Sequence, residues 1–97
     1  MIYDPVLESR LEDFRGGIEY WKIAPIEEQE VIANKLHDIA YDIRSKLGPP
    51  GMAPAETLIR IDDLFCTAAD ALKRSVNERA KAVAQEVSLH AEKLLAD

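Results

Sequence analysis

The chain has little of what usually fixes a small domain covalently or by metal. Among 97 residues there is one cysteine, Cys66. It cannot form an internal disulfide, and a lone thiolate does not nucleate a zinc site. No apolar stretch approaches the roughly 20 residues that a bilayer-spanning helix needs, so no membrane partner is expected. Basic charge is not in excess. The net charge of −6 argues against duplex DNA, whose binding depends on cations that neutralise phosphates. No basic segment leading into an apolar run opens the sequence, so no signal peptide is expected and the expected location is cytoplasmic. Glycine and proline are scarce, and neither occurs after Pro54. Alternating strand patterns and internal repeats are absent too.

What remains is helix-forming sequence. Hydrophobic residues at 47% beside 31% charged ones are the balance of a folded chain, not a disordered one. A domain of this size buries a modest core, and association with further copies is an ordinary remedy.

Three apolar stripes run at helical spacing. The first, Leu7, Leu11, Phe14, Ile18 and Trp21, predicts a helix over about 5–22. Asp4 is suited to cap it and Pro5 to open it. Gly16-Gly17 interrupts this stripe. Two interior glycines cost about 2 kcal/mol relative to alanine, so a bend or an end is expected there, with an irregular connector from Ile18 to Ala24. The second stripe, Ile32, Leu36, Ile39, Ile43 and Leu47, is widened by Ala33 and Ala40 and predicts a helix over about 25–47. Glu27, Glu28 and Glu30 suit its N-terminal dipole, and Arg44 and Lys46 suit its other end. Gly48-Pro49-Pro50-Gly51 stops it.

The third stripe runs from Leu58 through Ile61, Phe65, Ala68, Leu72, Val76, Ala80, Val83, Val87 and Ala91 to Leu94. It predicts a helix over about 54–96. Unbroken, that helix would be roughly 63 Å long against about 33 Å for the second. The surplus requires the first helix, another subunit, or a break. Ser75-Val76-Asn77-Glu78 has the spacing of a capping box and marks the place for a break near residue 75. The small residues Ala80, Val83, Ala84, Val87 and Ala91 suit a close helix contact, within a bundle or between subunits. The expected fold is therefore all-α: an antiparallel hairpin of the second and third helices plus the N-terminal helix, a three- or four-helix bundle that assembles into a homo-oligomer.

Residues able to carry chemistry are few. Cys66, beside Phe65, reads as a buried small hydrophobe rather than a nucleophile. His37 and His90 are too few for a histidine-rich metal site and are expected at the boundary between core and solvent. Glu27 and Glu30 share one helix face, and Asp62-Asp63 follows on a later helix. This resembles the paired acidic motifs with which all-helical nucleoside triphosphate pyrophosphohydrolases hold magnesium. The second pair is broken, because Arg60 stands three residues before Asp63. No catalytic residue, metal site or cofactor is expected. Tyr20, Trp21 and Lys22 bring aromatic rings beside a cation, a pattern that stacks bases and pairs phosphates. The alternative for Trp21 is a packing role with Ile18.

The stretch from Ile18 to about Val76 resembles the phage-encoded hairpin-domain proteins that sequester cyclic oligonucleotides and blunt CBASS, a bacterial antiviral signalling system. The resemblance lies in Ile18-Glu19-Tyr20-Trp21-Lys22, in Ile39-Ala40-Tyr41-Asp42-Ile43, in Leu47-Gly48-Pro49-Pro50, and in the helix with Glu56-Thr57-Leu58 and Ala68-Ala69-Asp70-Ala71-Leu72. Ile18 replaces the family's first aromatic residue, and the segment after Val76 has no counterpart. The resemblance implies a non-catalytic, symmetric oligomer holding a cyclic di- or trinucleotide between subunits. Tyr20 would stack a base, Lys35 would meet phosphate, and Trp21 and Lys22 would assist. Two other functions fit the same helices. One is a small adaptor or inhibitor that binds a host or phage protein, and the other is a divergent magnesium-dependent pyrophosphohydrolase.

Overall fold

The computed structural model describes residues 5–47 and 53–95. Over these residues the chain forms four α-helices and no strand: α1 (Pro5–Ile23), α2 (Ile26–Lys46), α3 (Ala55–Lys73) and α4 (Glu78–Leu95). No helix among the described residues is long and apolar enough to cross a membrane. Asp4 and the Gly48–Gly51 turn lie outside the described residues.

The apolar stripes become the buried faces. Leu11, Phe14, Ile18 and Trp21 are buried on α1. Ile32, Ala33, Leu36, Ala40 and Ile43 are buried on α2, and Ile61, Phe65, Ala68, Ala69 and Leu72 on α3. On α4 the buried residues include Ala80, Val83, Ala84, Val87 and Ala91. All join one core. Its small α4 side chains are used within the chain, where α4 packs closely along α3.

Two expectations are corrected by packing. First, α1 does not end at Gly16-Gly17. It continues to Ile23, and only Ala24 and Pro25 separate it from α2. Gly17 lies against α2, where an added Cβ would come within 2.8 Å of Leu36 Cδ2. Close contact with a buried α2 side chain offsets the poor helix propensity of the glycine pair, and tertiary packing decides the local structure. The Gln29 side chain then donates at 3.1 Å to the Trp21 carbonyl, which also accepts the Ala24 N–H at 3.4 Å at the end of α1.

Second, the α2–α3 hairpin is not the principal packed pair. α2 packs on α1 and α4, α3 packs mainly on α4, and α1 touches α3 only narrowly. Side-chain pairs give the directions. Arg10 meets Asp42 and Gly17 meets Leu36, so α1 and α2 are antiparallel. Asn34 meets Arg79 and Arg44 meets His90, so α2 and α4 are parallel. Glu8 meets Arg60 and Phe14 meets Phe65, so α1 and α3 are parallel. The bundle is therefore two helical hairpins, α1–α2 and α3–α4, set side by side in the same orientation. α2 and α3 stand on a diagonal.

The surplus length of the third stripe is resolved by a break at residues 74–77. Asn77 is the cap. Its Oδ1 accepts the backbone N–H groups of Arg79 at 2.8 Å and Ala80 at 3.1 Å, two of the donors that a helix start leaves open. Ser75 plays a different part from that expected of it. Its Oγ accepts the Asn77 N–H at 3.0 Å and so shapes the turn before the cap. Val76, in register with the buried stripe on paper, is 81% exposed at the tip.

The two glycines separate helix propensity from packing. Gly16 has nothing within 4 Å of an added Cβ. Gly16→Ala is expected to stabilise the fold by about 0.5–1 kcal/mol in urea denaturation. Gly17→Ala, forced against Leu36, is expected to lose that gain. Equal stabilisation by both would show that α2 does not pack on Gly17.

Candidate functional site

α1 and α3 touch only narrowly, and residues of both line a surface groove of about 340 Å³. The fully buried Phe14 and Phe65 join the two helices in the core, with tilted rings whose centroids are 5.2 Å apart. At one end the Arg60 guanidinium reaches across from α3 and donates to Glu8 on α1, at 2.8 Å for Nη2 to Oε2. That contact, first through its hydrogen bonding, holds the Glu8 carboxyl below the usual range.

The floor is apolar: Leu11 and Ile18 from α1 and Ala68 from α3, all three buried in the core, with the half-buried Leu64 of α3. The α1 rim follows from helical spacing. Glu12, Arg15, Glu19 and Lys22 recur at steps of three and four, so they share one edge with alternating sign. Arg15 donates to Glu12, and the Lys22 ammonium lies 3.6 Å from Glu19. Asp63 and Thr67 stand on the α3 side with Arg60. Three cations and three carboxylates line the groove, so it carries no excess of either sign. An apolar floor with charges of both signs along its rims is the chemistry of a helix–helix seam that lacks one helix.

The residues singled out in the sequence do not converge. Trp21 is 6% exposed and belongs to the core with Ile18; its ring is not presented to a ligand. Lys22 lines the α1–α3 groove. Tyr20, two residues earlier, lies about 160° around the helix from Lys22, on the α2 side, where its hydroxyl is 3.4 Å from Glu28. Lys35 is exposed on α2, seven residues after Glu28 and so on the same stripe. The chain therefore places Tyr20 and Lys35 along one face and Lys22 on another, with a carboxylate beside the tyrosine.

The acidic residues of the pyrophosphohydrolase pattern are also separated. Glu27 and Glu30 begin α2, while Asp62 and Asp63 lie on the diagonal helix α3. Among the described residues no three His, Cys, Asp or Glu side chains are grouped to hold a metal ion. Cys66 is exposed, not buried. It is one helical step past Phe65, which turns it out of the core. Partial burial, and then Asp62 with its side chain 3.7 Å away, push the thiol pKa up, which disfavours the nucleophilic thiolate.

A polar cluster in the α2–α4 seam gave no sequence signal. His90 is buried at 7% exposure, deeper than the boundary position expected of it. Arg44 Nη1 lies 3.0 Å from His90 Nδ1. Arginine only donates, so Nδ1 accepts, and the neutral ring carries its proton on Nε2. That Nε2 is buried without a hydrogen-bond partner. His37 and Tyr41 from α2 flank the ring at 6.4 and 6.1 Å between centroids. Glu86 and Lys93 act on it from α4 itself. Burial, then the Arg44 charge, then His37 lower the His90 pKa, outweighing Glu86. These residues lie far apart in the chain, and only the parallel pairing of α2 with α4 brings them together.

Comparison with protein-family models, curated proteins and solved structures gives no significant match for this chain.

The His90 geometry has a pH consequence. Above the ordinary histidine pKa of 6.5 the ring is neutral in both folded and unfolded chains, and its contribution to stability is complete. Below that value the unfolded chain takes up the proton first, so stability falls as pH falls toward the depressed folded pKa. Urea titrations at pH 7.5 to 5 are expected to show this loss. His90→Leu is expected to remove most of it, and an unchanged slope in that variant would contradict the assignment.

Proposed function

We propose that this protein is a non-catalytic binding module whose α1–α3 groove receives an amphipathic helix of a protein partner. The observation that carries the reading is the groove itself: an apolar floor of Leu11, Ile18, Leu64 and Ala68 between rims of mixed charge. From Leu11 to Lys22 it extends about 16 Å, or three helical turns. A helix with apolar residues at i, i+3, i+4 and i+7 fills such a floor, and its flanking charges complement Glu12, Arg15, Glu19 and Lys22. The recognition is that of helix-in-groove binding, in which apolar burial gives affinity and the charge pattern gives register.

Sequestration of a cyclic oligonucleotide fits this groove less well. Such a ligand brings two or three phosphates and exposed base faces. It asks for cations in excess and for open aromatic rings, whereas the groove is balanced in charge and has no aromatic lining residue.

Selection of a displayed helical-peptide library against the protein tests the reading. Enriched peptides are expected to carry one apolar stripe flanked by both signs of charge. Thr67→Arg, a substitution at an exposed groove residue, is expected to weaken them at least about tenfold by occupying the groove. Tyr20→Ala is expected to leave them unchanged. A panel of cyclic di- and trinucleotides is expected to leave Tm unmoved. A shift that is lost in Tyr20→Ala would replace this reading with sequestration.

A further inference from the structure

The two hairpins point the same way, so both of their tips meet at one end of the bundle. Each tip leaves aliphatic surface uncovered. Ile23 and Ile26 are 80% and 64% exposed at the α1–α2 tip, and Val76 is 81% exposed at the α3–α4 tip. Their charges are opposite. Between residues 22 and 30 one cation, Lys22, stands with Glu27, Glu28 and Glu30, for a net −2. Between residues 70 and 81 four cations, Lys73, Arg74, Arg79 and Lys81, stand with Asp70 and Glu78, for a net +2; Asp70 pairs with Lys73 and Arg74, and Glu78 with Lys81. An acidic aliphatic tip thus sits beside a basic aliphatic tip.

From this arrangement we infer that the bundle end is a self-complementary surface on which a second copy of this chain docks end to end. A two-fold axis in the contact plane, perpendicular to the line joining the tips, lays each acidic tip on the partner's basic tip. Ile23 and Ile26 of one copy then meet Val76 of the other, twice over. One patch satisfies both sides of an isologous contact, and the dimer closes. The inference does not depend on the α1–α3 groove, which lies along the side of the bundle and stays open in such a dimer.

The size of the surface sets its strength. The bundle measures 41 × 25 × 17 Å between Cα extremes, and its helices run along the long dimension. An end of 25 × 17 Å buries roughly 400–600 Å² per copy. That is below the ~800 Å² per partner of a standard interface, so the dimer is weak and reversible. Charge steers and aligns it, and salt loosens it.

Charge reversal tests this inference directly. Sedimentation equilibrium of the wild-type chain at low salt is expected to show a monomer–dimer exchange. Its dissociation constant should rise at least about tenfold between 0.05 and 0.5 M salt. Glu27→Lys with Glu30→Lys makes both tips basic, and Lys73→Glu with Arg74→Glu makes both acidic. Each variant alone is expected to be monomeric. Mixed, they are expected to form a heterodimer, because each basic tip again faces an acidic one. Restored association also shows that both variants are folded. Circular dichroism supplies the same check if mixing fails. A chain that stays monomeric at millimolar concentration would overturn the inference. So would a dimer that persists in each variant alone, or two helical variants that do not associate when mixed.

Discussion

The structure turns on the cap at Asn77. Two hydrogen bonds that its side-chain Oδ1 accepts from the N–H groups of Arg79 and Ala80 open a new helix inside a stretch with no proline or glycine to stop one. Helix propensity alone would let residues 55–95 run on. The cap and the Ser75 turn instead fold α4 back onto α3. From that reversal follow the burial of Ala80, Val83 and Val87 against α3, the exposure of Val76, and the meeting of both hairpin tips at one end. It also displaces α2 from α3. α4 takes the place beside α2, and α2 and α3 are left on a diagonal.

The groove is a consequence of the same arrangement. Three of the four neighbouring helix pairs pack extensively. Gly17 admits Leu36 between α1 and α2, small residues line α4 against α3, and Arg44 and Arg79 reach across α2 and α4. The fourth pair, α1 and α3, is held by the Phe14–Phe65 contact and by Glu8–Arg60, and no long run of small residues draws it together. Arg60 crosses the gap to Glu8 at one end, while Arg15 and Lys22 pair along α1 with Glu12 and Glu19.

Helical spacing made much of this legible in the sequence. Leu11, Phe14, Ile18 and Trp21 are buried where the period of 3.6 places them, and the same holds for Leu36, Ile43, Ile61, Phe65, Leu72, Val83 and Val87. Pro25 and Pro54 stand just before the starts of α2 and α3. What periodicity does not carry is partnership. It says that a residue faces inward, not which helix it meets. The His90–Arg44 contact and the α1–α3 groove were invisible for that reason. Cys66 was misread because adjacency to Phe65 is a rotation of about 100°, not a shared face. The glycine pair was misread because propensity was weighed without Leu36. Tyr20, Trp21 and Lys22 looked like one cluster only because they are consecutive; on a helix, consecutive residues diverge.

One chain folds as two parallel-set hairpins, with α4 returning beside α2. An isotope-edited NOESY measurement on labelled chain mixed with unlabelled chain tests it most directly. Contacts are expected between the Tyr41 and His90 rings, 6.1 Å apart, and between Phe14 and Phe65, all within one molecule. A helix unbroken through Ser75 would carry His90 far from Tyr41 of its own chain. Contacts that are absent, or found only between labelled and unlabelled molecules, would contradict it.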